Sequence, residues 1–456
     1  MTDYPALFWA LVADILLWLG IARYIANTKK DTLHIGVIFS GLFIVTYPLK
    51  FLASLFGFVA MNPLELPEKW LWLSFYIFNL SGIMFLLPML AMKSVVRVVK
   101  PPEMFGKSVR ANYIWLMSIV AVVIIGIAYG PRAIVAVFSF SSDALQSRIA
   151  ERSDERLGSG PLALLRSVGE VLLALSFLRL AELWLHCNLK ERMRIAVFIA
   201  TACLFLLAVS GSKHQGLVPL FYFVIFLNLN KLMSGARGWG FASIIKGGLL
   251  GLALVGIFGV IRGFGAVVEG GDVGLWLQAF IQLSYAFDGP DNLAFILSRM
   301  GSIWLGDLSL QPTFQYIFGT VPRLLWPDKP VIMGNLFIQE IYLYERFTDE
   351  TGEVISPSMP GEMLVSGGIV FMCIWSFILG LFFALHYRLA YLSKNWVWKI
   401  LYAFLAANVF NVLRSGTGVL GAYILFAGAV FVGWSALLFV RALFMNHKGR
   451  IQVRPL

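Results

Sequence analysis

Eleven apolar runs, each near the length that crosses a bilayer, dominate the chain: residues 5–22, 33–60, 70–92, 112–130, 161–185, 195–211, 214–230, 241–261, 366–386, 396–413 and 418–440. A span needs about 20 mostly apolar residues, because in lipid every backbone amide must find its partner inside the helix. Composition agrees. Hydrophobic residues make up 59% of the 456, charged residues only 13%, and mean hydropathy is +0.80. A soluble chain of this size could not cover its surface with so few charges, and a disordered chain would not be so apolar. The fold expected is all-α: a polytopic membrane protein of about eleven transmembrane helices, one integral-membrane domain over 1–456. The 14 Trp, 15 Tyr and 38 Phe suffice for aromatic belts at both interfaces. No basic residue precedes the first run and no small-residue cleavage site follows it, so it reads as a retained helix.

Lys and Arg orient the spans. With the N-terminus outside, the inside segments hold 21 basic and 3 acidic residues, a balance of +18. The outside segments hold 12 basic and 19 acidic residues, a balance of −7. The N-terminus is therefore expected outside and the C-terminus inside. The same bias explains the net charge of +11 without nucleic acid.

Two outside loops stand out. Residues 131–160 mix Arg148, Glu151, Arg152, Asp154, Glu155 and Arg156, the pattern of a solvated helix. Residues 262–365 form one loop of about a hundred residues, far longer than most connections, and such loops carry function. Its apolar stretches 274–287 and 291–305 are too short to span. They read as helices lying in the interface or dipping back into the protein. Within the spans, Arg166 with Glu170 and Arg179 with Glu182 sit at helical spacing for mutual pairing. Lys50 follows Pro48 in a run that should kink there. Asp14 has no evident partner.

A second set of charges gathers where the helices meet the outer face. Lys213 and His214 occupy the turn between two short runs, and Arg262 follows the eighth run. Arg323 and Lys329 sit in VPRLLWPDKP, Glu362 in SPSMPGEML, and Arg414 in the turn before the last run. Five cations at one level point to an anionic ligand, and Arg suits phosphate because its planar fork gives paired hydrogen bonds. The competing reading is that they snorkel or pair with loop acids. The three prolines of VPRLLWPDKP stiffen a turn presenting Trp326 and Lys329, either a sugar-binding wall or a lid anchor. Asp288 and Asp291 flank Gly289-Pro290, which reads first as a turn with a helix cap at Asp291 and second as a site. Cys187, Cys203, Cys373 and the five scattered histidines show no metal-ligand spacing, so no metal is expected.

The strings VPRLLWPDKP and SPSMPGEMLVSGG, with FDGPDNLAFIL, SGSKHQ and the late LRSG turn, resemble those of the Wzy-type polysaccharide polymerases, the O-antigen and enterobacterial common antigen polymerases among them. The resemblance implies an enzyme of the bacterial inner membrane. It would join oligosaccharide repeat units carried on undecaprenyl pyrophosphate at the periplasmic face, into a surface polysaccharide such as that of lipopolysaccharide. No cofactor is implied. The implied partners are the lipid-linked oligosaccharides, the bilayer, a chain-length regulator and a repeat-unit flippase. This chain has Lys213 where many members carry Arg, and Met363-Leu364-Val365 where many carry an aromatic, Asn and Phe. On that reading Lys213, Arg262, Arg323 and Arg414 hold the pyrophosphate, and Glu362 or His214 takes the acceptor proton. Asp288, Asp291, Trp326 and Lys329 would contact sugar or form the lid. The alternatives are an O-antigen ligase-like transferase and, from another class, a lipid-linked sugar flippase.

Overall fold

A computed structural model describes residues 5–55, 67–92, 111–128, 161–210, 213–233, 289–301, 303–304, 313, 317, 358–393 and 395–449. Every described element is helical, and five of these helices are long and apolar enough to cross a membrane. Wide apolar faces point outward, with Trp9, Leu116, Val197, Val370 and Val432 all more than half exposed. Such faces belong against lipid. The loop 131–160, the run 241–261 and most of 262–365 lie outside the described residues.

In chain order the helices are α1 (Pro5–Lys29), α2 (Ile35–Thr46), α3 (Pro48–Leu55), α4 (Glu68–Ala91), α5 (Ala111–Ala128), α6 (Pro161–His186), α7 (Leu189–Ser210), α8 (Lys213–Met233), α9 (Gly289–Arg299), α10 (Met359–Leu392), α11 (Trp396–Ala407), α12 (Val409–Ser415) and α13 (Gly418–Gly449). Cross-helix contacts set their directions. Trp18 of α1 bonds Asn79 of α4 while Lys29 reaches the Met92 carbonyl, so α1 and α4 run parallel. Ser81 pairs with Ser376, and Gly380 abuts Phe85, so α10 runs with them. Gly169 of α6 meets Ile124 and Ile125 near the end of α5, so those two are antiparallel. Trp396 and Trp434 meet across α11 and α13, as do Phe404 and Phe426, again antiparallel.

Polar knots explain where charge is tolerated. Asp14 accepts from Asn79 at 3.4 Å, a partner on another helix that spacing along α1 could not reveal. Arg166 donates to Glu170 at 2.9 Å and Arg179 pairs with Glu182, as their spacing predicts. The run at 33–60 breaks where Pro48 demands it: α2 stops at Thr46, Tyr47 leaves helical geometry, and α3 restarts at Pro48.

The most constrained knot closes the end of the bundle where α1 turns into α2. Asp31 is 1% exposed. Its Oδ1 accepts from Leu33 N at 2.9 Å and Asn228 Nδ2 at 2.8 Å. Its Oδ2 accepts from the Tyr387 and Tyr391 hydroxyls, each at 3.0 Å. One carboxylate thus ties α8 and α10 to the α1–α2 turn. Burial pushes the Asp31 carboxyl above the usual range, and these hydrogen bonds pull the other way.

At the α4–α10 crossing the backbones touch. A Cβ on Gly380 would land on the Phe85 carbonyl oxygen. Gly380→Ala must therefore push two core helices apart. The expected cost is about 1–3 kcal/mol, read as a lowered thermal midpoint in detergent. A midpoint equal to wild type would mean that the crossing yields freely.

Candidate functional site

The ninth apolar run begins earlier than hydropathy predicts, and it doubles back. Ser358 caps α10, its hydroxyl accepting from Gly361 N at 3.3 Å, with Pro360 in the first turn, where its missing N–H costs nothing. Helical geometry fails at Gly367 (φ −162°, ψ 22°) and Gly368 (φ 72°, ψ −171°), the latter a conformation open essentially to glycine alone. In a straight helix residues 363 and 376 would stand about 20 Å apart. Here Ser376 donates to Met363 Sδ at 3.4 Å. Residues 359–366 therefore form a short limb folded back along residues 369–392. Every residue of that limb is buried. Glu362 was expected at the mouth, where the loop re-enters the bundle. It lies on the returned limb, near the level of Ser376.

Glu362 is 2% exposed. Its Oε2 accepts from Thr417 N at 3.0 Å, and its Oε1 accepts from the Thr417 hydroxyl. Around this pair, the Thr313 and Ser366 hydroxyls meet at 2.8 Å, and Ser366 donates to the Glu362 carbonyl at 2.9 Å. Gly416 makes the close approach possible. It takes φ +54°, its N–H donates to Val412 O at 2.8 Å, and a Cβ there would come within 2.5 Å of Glu362 Oε2. Arg414 sits in the last turn of α12, beside this turn, and its side chain is exposed. A cation there also suits the helix C-terminus.

Helical rise relates the other expected residues to the level of Asp31. Asn228 and Tyr387 both bond Asp31 and mark one level. Lys213 and His214 open α8, about 20 Å back along it from Asn228. Ser376, beside the Glu362 limb, stands about 16 Å from Tyr387 along α10. Helix α8 packs on α11, and α12 packs on α10. The Met359–Glu362 limb and the Arg414–Gly416 turn therefore meet through Glu362 and Thr417.

Helix α9 completes the wall. It was expected either in the interface or dipping into the protein, and the second holds. Leu293 to Leu297 are all buried, with Leu293 and Ile296 facing Gly361, and Ile369 N donates to Ile303 O at 2.8 Å. The expectation of a cap at Asp291 needs correcting. The helix begins at Gly289, so Asp291 lies inside its first turn. Pro290 fits an initial helical position because its φ is already set. Arg262, Asp288, Arg323, Trp326 and Lys329 lie outside the described residues. No group of three or more metal-ligating side chains occurs among the described residues.

Thr417, Thr313 and Ser366 were not singled out by sequence reasoning. Hydroxyls in apolar runs are common, and only the fold shows that these three surround one carboxylate. No protein-family model matches the chain, and no solved structure matches it.

Proposed function

We propose that the protein is a membrane glycosyltransferase that polymerises undecaprenyl-pyrophosphate-linked oligosaccharides at the periplasmic face of a bacterial inner membrane. The observation carrying this reading is the junction of the Met359–Glu362 limb with the Leu413–Thr417 segment, which sets a buried carboxylate beside a turn bearing an exposed arginine. Cations in a site shielded from bulk water stabilise a departing pyrophosphate. Lys213 and Arg414 supply that charge here, with Arg262 and Arg323 as the further expected members. His214 is the group left to take the acceptor proton, since both oxygens of Glu362 are engaged by Thr417. Attack on the anomeric carbon opposite the pyrophosphate inverts it in one step, without a covalent enzyme intermediate.

A polysaccharide ladder from a strain lacking the gene tests the reaction class. A single repeat on the acceptor supports a polymerase; no repeat at all means a ligase-like transferase. A second reading, a lipid-linked sugar flippase, draws support from the folded-back limb, since broken helices also build transporter sites. Repeat units accumulating on the cytoplasmic side of the deletion strain would favour it.

Sidedness has its own test. The charge balance expects Thr348 in the periplasm. A Cys at that position in a Cys-free background should react with an impermeant thiol reagent in intact spheroplasts. Reaction only after lysis would invert the orientation.

A further inference from the structure

Glu362 is committed to Thr417 through both carboxylate oxygens, and this engagement has a mechanical consequence. The Ser415–Thr417 turn joins α12 to α13. It rests against the carboxylate so closely that Gly416 has no room for a side chain. Arg414 projects from the helical turn immediately before it. Resting on the functional reading above, we propose that Glu362 and Thr417 act as positioning residues: their junction sets the turn that aims Arg414 at the pyrophosphate of the lipid carrier.

Three observations support this. The contact joins residues 55 apart in sequence through one hydroxyl and one backbone N–H. The carboxylate stands on the returned limb, itself held by the Gly367–Gly368 reversal and the Ser376–Met363 contact. The Thr417 hydroxyl bonds the buried carboxylate, and Ser366, paired with Thr313, bonds the main chain of the same residue, whereas Arg414 is exposed. The acid therefore shapes the turn, and the arginine stands on its exposed side.

The test uses the full-length protein in nanodiscs with undecaprenyl pyrophosphate as the probe and undecaprenol as its control lipid. Thr417→Val keeps the β-branch and the backbone N–H and removes only the hydroxyl. It should weaken binding of undecaprenyl pyrophosphate about tenfold, or 1.4 kcal/mol, in protein that remains folded. Thr417→Ser should bind like wild type. The double variant Thr417→Val/Arg414→Lys should bind no more weakly than Arg414→Lys alone, because a residue acting through Arg414 has nothing further to remove. Wild-type affinity in Thr417→Val, or fully additive losses in the double variant, would overturn the proposal and leave the functional reading standing. If Thr417→Val is recovered unfolded, Glu362→Asp carries the same expectation, since it keeps the charge and withdraws it by one methylene; normal binding there overturns it equally. Wild-type protein that does not prefer undecaprenyl pyrophosphate to undecaprenol would overturn the functional reading, and the proposal with it.

Discussion

Asp31→Ala is expected to lose about 4 kcal/mol or more of stability, because four buried or part-buried donors lose their acceptor at once and each costs about 1–3 kcal/mol. Those donors are Leu33 N, Asn228 Nδ2 and the hydroxyls of Tyr387 and Tyr391. They come from three separate parts of the bundle, so the loss should appear as global loosening at that end. Asp31→Asn keeps the shape and one acceptor oxygen and should lose less. The measurement is thermal or denaturant unfolding in detergent, and an unchanged Asp31→Ala midpoint would show that water replaces the carboxylate without cost. The same group predicts a pH dependence. Burial raises its pKa in the folded protein. For an acid this means the charged form is held at a cost, absent below the ordinary aspartate range near about 4 and growing as pH rises through the folded value. Stability should therefore increase as pH falls toward that range, and Asp31→Asn should flatten the trend.

Arg414→Lys is expected to reduce polymer about tenfold or more, with normal amounts of protein in the membrane. Lys supplies a point charge where Arg supplies a planar fork with paired hydrogen bonds, and one decade corresponds to about 1.4 kcal/mol in the barrier. Polymer is scored as ladder length and amount. The position is informative because Arg414 is exposed while the carboxylate beside it is buried. A ligand from outside therefore meets the cation and not the acid. A full-length ladder from Arg414→Lys would make this an ordinary interfacial arginine.

Much of the helical frame was legible from hydropathy because lipid imposes one rule on every span: the backbone must satisfy itself. The pairings Arg166–Glu170 and Arg179–Glu182 were legible for a similar reason, since helix geometry alone brings residues three or four apart together. The break at Pro48 followed from a missing N–H. Each of these is a local property of the chain.

The site was legible only as a collection of residue types. Glu362, Arg414, Lys213 and His214 were marked as functional candidates, and the structure joins the segments of the first two through Thr417. Their arrangement was not marked. The Ser-Gly-Gly of residues 366–368 read as the opening of a span, yet its two glycines reverse the chain and carry Glu362 back into the bundle. Asp31 passed as one of three acids on the inner face until three donors from two distant helices were seen to converge on it. Thr417 carried no signal in the sequence, and only the fold puts it against Glu362. The chain by itself determined which segments are apolar helices, which local pairs form and where prolines interrupt, because those depend on neighbours within a few residues. Tertiary structure alone decided which buried carboxylate meets which hydroxyl. Such partners lie between 55 and 360 residues apart, and nothing in local spacing encodes a contact made by packing whole helices side by side.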